Sequence, residues 1–151
     1  MIHPAVFAKD KKAVDFVLND IYGKSVRLSE LRGKTVLLHF WAMWCGDCVK
    51  EMPSLNNLHT TYRDNGLEVV SISTDVSVSK LQEFAKANKI GFMILHDPDK
   101  VVTIKSYSVV GLPVSVFIDK HGNIIERING PRDWNSNVMK RKIQSLLKDK
   151  K

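Results

Sequence analysis

Cysteine is scarce in this sequence of 151 residues, which contains only two. Both occur in the stretch Trp44-Cys45-Gly46-Asp47-Cys48, directly after a run of strand-forming residues. Thiols this close together cannot connect distant parts of a fold, so a structural framework of disulfides is excluded. Such a pair can instead close a small disulfide or hold a thiolate. Any thiol chemistry is therefore concentrated at one point of the chain.

Long apolar runs are also missing from the sequence. No stretch stays apolar over the roughly 18 residues that suggest a transmembrane helix, and residues 1–15 contain only a short apolar patch. We therefore expect neither a transmembrane helix nor a signal peptide in this chain. A cytoplasmic protein would have such a sequence, and so would an exported protein whose signal or anchor is not part of the chain.

Aromatic residues do not alternate with the lysines that cluster near both ends of the chain. The sequence has 23 Lys and Arg against 16 Asp and Glu, a net charge of +7. This charge could attract an acidic partner or anionic lipid headgroups, but it is more typical of solvated helix faces and chain ends. Without interleaved aromatic side chains on which bases could stack, we expect no nucleic-acid partner.

Strand-like and helix-like segments alternate along the chain, which predicts an α/β fold. We expect one domain, residues 13–151, after a flexible N-terminal arm, residues 1–12. Its centre should be a mixed β-sheet flanked by helices, with an N-terminal β-hairpin extension. The predicted strands are 16–18, 26–28, 35–41, 67–73, 92–95 (or an extended link), 114–118 and 124–128, and the predicted helices are 45–63, 79–88, 101–107 and 133–147.

The helix predicted to begin at Cys45 gives the two cysteines different surroundings. Unpaired N–H groups and the helix dipole favour an anion at a helix start, so a thiol there is readily ionised. Cys48 lies one turn deeper, on the apolar face of the helix. We therefore expect Cys45 to attack the disulfide of a partner and Cys48 to resolve the mixed disulfide.

Glu51 falls within the same apolar stripe, one turn after Cys48. A carboxylate at this place is either buried, where it could exchange a proton with the Cys48 thiol, or it reaches solvent along the helix edge. The helical geometry alone does not decide between these alternatives.

A metal site is not predicted. A zinc site built on the two cysteines would need two further ligands, and His39, His59 and Asp47 do not have the spacing of metal ligands. We expect no metal and no cofactor other than a redox-active disulfide between Cys45 and Cys48.

Several motifs along the chain form a specific combination, although a Cys-x-x-Cys alone would not be specific. They are Asp15-Phe16, Leu28-Ser29-Glu30-Leu31-Arg32-Gly33-Lys34, Phe40-Trp41-Ala42-Met43-Trp44-Cys45, Pro53, Gly111-Leu112-Pro113 and Phe117-Ile118-Asp119. Together they resemble the TlpA/ResA branch of the thioredoxin-like thiol–disulfide oxidoreductases, over roughly residues 13–148. The resemblance implies a thioredoxin-like fold.

The resemblance also implies roles for individual residues. Cys45 and Cys48 match the redox pair of the family. Pro113 matches its cis-proline, whose loop faces the disulfide and offers backbone hydrogen bonds to an extended substrate. We accordingly expect Trp44, Leu112 and Pro113 to bind substrate.

Glu51 matches an acid that donates or accepts a proton in ResA-like members. The chain departs from the pattern at Asp47, where thioredoxins and many relatives carry proline, and at His39, where thioredoxin has a buried acid. We expect Gly46, Asp47 and His39 to tune the redox potential. A histidine in a buried strand can also be simply a core residue with its hydrogen bonds satisfied.

The leading hypothesis is therefore a thiol–disulfide oxidoreductase that reduces disulfides in protein substrates. By resemblance, such proteins act outside the bacterial cytoplasm, exported or membrane-anchored, and often serve cytochrome c maturation. A membrane or thioredoxin-type electron donor would re-reduce the protein. We expect a monomer, and a cytoplasmic location stays open.

Two alternatives use the same fold. A peroxiredoxin-like thiol peroxidase normally has a Thr-x-x pattern before its reactive cysteine, and Ala42 stands at that position here. A copper-delivery module uses a wider cysteine spacing and a histidine late in the chain, whereas the last histidine, His121, lies in a predicted hairpin turn.

Overall fold

The structure, a computed structural model, describes residues 11–148. The strands in this range are β1 Val17–Asn19, β2 Ser25–Arg27, β3 Thr35–Trp41, β4 Leu67–Ser73, β5 Met93–His96, β6 Val114–Ile118 and β7 Ile124–Asn129. The α-helices are α1 Gly46–Tyr62, α2 Val78–Ala87 and α3 Asn137–Lys148. Five strands form a mixed sheet in the order β5-β4-β3-β6-β7, and β1 and β2 form a separate antiparallel pair. The predicted mixed sheet with an N-terminal hairpin is confirmed.

Strand β3 lies at the centre of the sheet and is buried on both faces. Side chains of a strand point to opposite faces in turn. On one face Leu37 and Trp41 contact the apolar side chains of the three α-helices. On the other face Leu38 and Phe40 pack in a cluster with the hairpin and the π-helical segment Val101–Ser106, where a short helix was predicted. The residues that follow β3 therefore extend from a firmly packed strand.

The flexible arm predicted over residues 1–12 lies mostly outside the described residues. Its last two residues are attached to the domain. The carbonyl oxygen of Lys11 accepts a hydrogen bond from the N–H of Ile124 at 2.7 Å, and Lys12 forms a β-bridge with Asn123. The described chain is thus paired with the sheet from Lys11 onward, two residues before the predicted boundary.

Helix α3 begins later than the sequence pattern suggests. A helix was predicted from Asp133, but the regular helix begins at Asn137. The hydroxyl of Ser136 accepts a hydrogen bond from the N–H of Met139 at 3.2 Å, which caps the helix at that residue. The Asp133 carboxylate accepts from the N–H of Asn135 at 2.9 Å, so the preceding residues form a turn instead.

His59 is a buried histidine in the last turn of α1. Its ring packs edge-on against Phe92, with the centroids 6.3 Å apart. Burial lowers the pKa of His59, the charge of Glu68 opposes this, and the charge of Arg63 reinforces it. The folded protein therefore keeps this imidazole neutral at pH values where an unfolded chain, with an ordinary pKa of about 6.5, binds a proton.

We expect this histidine to weaken the fold at acidic pH. Above about pH 7 both states leave the ring neutral, so His59 adds no pH dependence. Below about pH 6.5 the unfolded state takes up a proton that the folded state binds less tightly, and the free energy of unfolding falls. His59→Gln should flatten this decline in urea unfolding curves measured from about pH 7.5 to 5.5. Identical slopes for variant and wild type would contradict the assignment.

Candidate active site

Cys45 and Cys48 lie just beyond the end of β3, at the start of α1. Cys45 is the N-cap residue, with extended backbone angles (φ −90°, ψ 109°), and its Sγ accepts a hydrogen bond from the N–H of Cys48 at 3.2 Å. A disulfide joins the two residues, whose Cα atoms are 5.2 Å apart. The Cys45 sulfur thus lies where backbone N–H groups and the helix dipole stabilise an anion.

The two cysteines differ in their access to solvent. Cys45 is 8% exposed and Cys48 is 0% exposed. The side chain before the pair, Trp44, is 74% exposed, and Gly46 and Asp47 between the cysteines are also exposed. Within residues 11–148, the side open to a partner protein is therefore that of Cys45.

The loop that carries Pro113 faces the disulfide. The Sγ of Cys45 lies 3.8 Å from the carbonyl oxygen of Leu112, and the Leu112–Pro113 peptide bond is cis. The sheet brings these parts together because Val114, the first residue of β6, pairs with Phe40 near the end of β3. Backbone groups of this loop are thus adjacent to the sulfur that a substrate would meet.

The segment before Cys45 is held by Asp75, a residue that the sequence did not single out. Its carboxylate accepts hydrogen bonds from the N–H of Met43 at 2.8 Å and from the hydroxyl of Ser73 at 2.7 Å. The ring of His96 contacts the carbonyl oxygen of Asp75 at 2.7 Å. These contacts fix the loop that presents Trp44 to solvent.

Glu51 is buried one turn after Cys48, with 5% of the residue exposed. Its Oε2 accepts hydrogen bonds from the indole N–H of Trp134 and from the backbone N–H of Arg132, both at 3.0 Å. Of the two alternatives for this carboxylate, the structure therefore has the buried one. Side chains three positions apart on a helix are neighbours, so Glu51 and Cys48 lie side by side on the inner face of α1.

His39 is fully buried in β3 and lies against Glu51. Its Nε2 is 3.0 Å from Oε1 of Glu51, and its Nδ1 is 2.9 Å from the hydroxyl of Ser115 on β6. The Nε2–Oε1 contact is close, but its angles are not those of a hydrogen bond, so both atoms lack an aligned partner within residues 11–148. Trp134 closes the site with its ring edge, 6.5 Å from the imidazole between centroids.

Glu51 is also one of the residues that line a cleft at the surface. The cleft, of about 340 Å³, lies between the first turns of α1 and the loop before α3, and its lining includes Asp47, Lys50, Glu51, Arg132 and Asp133.

Trp134 and Ser115 belong to the site, but nothing in the sequence marked them. Trp134 donates to Glu51 from 83 positions further along the chain, and Ser115 contacts His39 from 76 positions further along. A single tryptophan before the last helix gives no periodic signal. Once Glu51 is known to be buried, a side chain that donates to it is expected, because a buried carboxylate needs hydrogen bonds.

A disulfide at the start of a helix, beside a proline loop and on a mixed sheet of this order, defines a thioredoxin-like thiol–disulfide oxidoreductase. Residues 10–127 match the AhpC/TSA family. The chain is similar to the thiol-disulfide oxidoreductase ResA of Bacillus thuringiensis subsp. konkukian, with 38% identity over 80% of this chain and 69% of the relative. The corresponding protein of Bacillus subtilis is 33% identical, over 85% of this chain and 75% of the relative.

Solved structures agree with this family. A Chlorobium tepidum protein described as a thiol:disulfide interchange protein DsbE superposes with a TM-score of 0.82 at 32% identity, over 92% of this chain and 97% of that chain. A Bacteroides thetaiotaomicron protein described as a protein disulfide isomerase gives 0.82 at 31% identity, over 92% and 89%. The chain therefore belongs to the AhpC/TSA family, with ResA proteins among its relatives, and it is a thiol–disulfide oxidoreductase.

Two further properties concern residues 11–148 only. No three His, Cys, Asp or Glu side chains in this range are grouped so that they could hold a metal ion. None of the helices in the same range is both long and apolar enough to cross a membrane.

Asp47 offers a test of how the first turn of α1 tunes the disulfide. Its negative charge opposes a thiolate at Cys45, so it destabilises the reduced state and makes the pair a stronger reductant. Asp47→Asn should therefore raise the reduction potential. A tenfold change in the redox equilibrium is about 30 mV for two electrons, and we expect less because Asp47 is exposed. A potential that stays constant or falls, measured in glutathione buffers, would show that Asp47 does not tune the site.

Proposed function

We propose that this protein reduces disulfides in protein substrates, with Cys45 as the attacking thiol and Cys48 as the resolving thiol. The observation that carries the proposal is the asymmetry of the pair. Cys45 lies at the helix start with its sulfur beside the Leu112 carbonyl, whereas Cys48 is completely buried. Only Cys45 can meet a disulfide of another protein.

The reaction would proceed by two thiol–disulfide exchanges. The Cys45 thiolate attacks one sulfur of the substrate disulfide, and the other sulfur leaves with the bonding electrons. Cys48 then loses its proton and attacks the Cys45 sulfur, which releases the second substrate thiolate and forms the Cys45–Cys48 disulfide. The substrate is thereby reduced by two electrons and the protein is oxidised.

Glu51 would accept the proton that Cys48 loses. The thiol of Cys48 is completely buried, so a neighbouring base is needed for it to become a thiolate. Glu51 is one helical turn away and is among the residues that line the cleft, so we expect the proton to reach solvent there.

Substrate would bind across the exposed ring of Trp44 and the backbone of residues 111–113. Two other exposed apolar side chains, Val76 and Val110, lie in loops next to these elements. Val76 follows Asp75, which holds the Met43 backbone, and Val110 begins the loop that ends at Pro113. An extended substrate segment with apolar residues beside its cysteine fits this surface.

The surroundings in the cell are part of the same proposal. We expect the protein to act outside the bacterial cytoplasm as a monomer, to be re-reduced by a membrane or thioredoxin-type donor, and to serve cytochrome c maturation. ResA-like and DsbE-like relatives support an exchange role, and the redox cycle needs no cofactor beyond the disulfide itself.

The reduction potential tests the direction of the reaction. A protein that works as a reductant should have a potential below that of the glutathione pool, under about −230 mV, when equilibrated with dithiothreitol or glutathione buffers. A value near about −120 mV, which is typical of a strong oxidant, would contradict the proposal.

The two alternatives make different predictions. A thiol peroxidase would consume hydrogen peroxide without a disulfide substrate, and we expect no such activity. A copper-delivery module would need a late histidine beside the cysteines. His121 follows β6, whose other end, at Val114, is the one next to the site, so we expect copper titration to leave the imidazole signal of His121 unchanged.

A further inference from the structure

The two exchange steps do not use the contact between His39 and Glu51. Two ionisable side chains are enclosed together in the core, and their facing atoms, Nε2 and Oε1, are 3.0 Å apart without an aligned hydrogen bond. Buried polar atoms without such a bond are rare and costly in folded proteins, and they often mark redox or catalytic sites. A proton shared by these two atoms would be within hydrogen-bond distance of both.

The other oxygen of Glu51 is not available to a proton. Oε2 accepts from the Trp134 indole N–H and from the Arg132 backbone N–H, and both groups can only donate. A hydrogen on Oε2 would point at these donors. A proton that Glu51 takes up must therefore lie on Oε1, the oxygen that faces His39.

The surroundings of His39 suit two different protonation states. Its second ring nitrogen, Nδ1, contacts the hydroxyl of Ser115, which can either donate or accept. If Glu51 is ionised, Nε2 carries the hydrogen next to Oε1 and Ser115 donates to Nδ1. If a proton lies on Oε1, Nε2 accepts it, and Nδ1–H donates to Ser115. The same three side chains serve both states.

We propose that His39 is a positioning residue that shares with Glu51 the proton released by Cys48, and thereby sets the pH dependence of mixed-disulfide resolution. This inference rests on the proposed function. In the step concerned, the S–H bond of Cys48 breaks and its proton goes to Oε1 of Glu51. The Cys48 sulfur then bonds to the Cys45 sulfur, and the substrate sulfur leaves with the electron pair.

An imidazole binds a proton more tightly in water than a carboxylate does, so a pair that contains both is a better acceptor near neutral pH than a carboxylate alone. The groups packed around His39 and Glu51 are mostly uncharged. From β6 and β4 the groups beside His39 in the sheet are the uncharged Ser115 and Ser71. Facing Glu51 are Cys48 on its own helix, the uncharged Trp134, and the cleft with its exposed charged side chains, Asp47, Lys50, Arg132 and Asp133.

The test follows the two exchange steps separately. Reduced protein is mixed with 5,5′-dithiobis(2-nitrobenzoate), which releases one coloured thiolate when Cys45 attacks and a second when Cys48 resolves. In His39→Asn, whose amide can still bond to Ser115, the first phase should be unchanged. The second phase should slow about tenfold at pH 7, below the usual range for loss of a general base, and its pH midpoint should move upward. His59→Gln, which alters another buried histidine, should change neither phase.

A double variant separates a shared proton from a packing effect. If His39 acts through Glu51, His39→Asn/Glu51→Gln should resolve no more slowly than Glu51→Gln alone. Additive slowing, or a second phase in His39→Asn with the pH profile of wild type, would overturn the inference. Absence of the first phase in wild type would instead contradict the proposed function.

NMR spectroscopy of the wild-type protein tests the same inference without a variant that could fail to fold. With ¹⁵N-labelled histidine, the Nε2 and Nδ1 signals of His39 should differ between the oxidised and reduced protein, because Cys48 gains or loses its proton beside the pair. Signals of His39 that are identical in the two redox states from about pH 6 to 8 would also overturn the inference.

Discussion

Replacing Cys48 by serine should convert the protein into a trap for its substrates. In Cys48→Ser, the Cys45 thiolate still attacks a disulfide, but no second thiol is present to release the product, so a mixed disulfide accumulates. In Cys45→Ser the remaining thiol is 0% exposed and should form none. Mass spectrometry after incubation with a disulfide-containing protein would measure both outcomes.

The expected contrast is close to all-or-none, because both variants lose turnover but only one captures substrate. Alkylation of the reduced wild-type protein at neutral pH provides a control, since Cys45 should be labelled before Cys48. A mixed disulfide on Cys48, or faster alkylation of Cys48, would reverse the assignment of roles.

The sequence predicted most accurately the parts of the fold that depend on local pattern. Strands β3 and β4 have the predicted bounds. Strand β3 is a mainly apolar run of the type that is buried on both faces, and β4 follows the turn residues Asn65 and Gly66. The start of α1 was also predicted, since the cysteine pair follows β3 directly. What differs is the role of Cys45, which caps the helix instead of belonging to it.

The buried polar network could be predicted only in part. Glu51 fell in the apolar stripe of α1, yet burial of a carboxylate depends on donors that local pattern does not reveal. Those donors, Trp134 and the Arg132 backbone, lie in the turn before α3, where the sequence pattern predicted a helix from Asp133. Because Ser136 caps α3, the preceding residues are free to reach back to Glu51.

The contacts of His39 could not be predicted from the sequence. Its position, six residues before Cys45, suggested either proton transfer or an ordinary core residue. The choice depends on its neighbours Ser115 and Glu51, which come from a strand and a helix whose pairing is set by the sheet order. Because the imidazole contacts an acid, and not only backbone or apolar groups, the structure favours the proton-transfer interpretation.

The second large effect is expected for Glu51→Gln. The amide oxygen can take the place of Oε2 and accept from Trp134 and Arg132, while the amide N–H₂ faces Nε2 of His39. The variant should therefore fold normally and lose only the ability to accept a proton. Resolution of the mixed disulfide by Cys48 should slow about 100-fold at neutral pH, as for other general bases.

The pH dependence of the resolution rate tests this prediction most directly. Without a proton acceptor, Cys48 must ionise by itself, so the resolution rate should rise steeply with pH and approach that of wild type under alkaline conditions. Attack by Cys45 should be unaffected, because that sulfur is activated by the helix start. The matched control is Glu30→Gln, which neutralises an exposed carboxylate outside the site. Equal pH–rate profiles for Glu51→Gln and Glu30→Gln would mean that Glu51 stabilises the site without taking part in proton transfer.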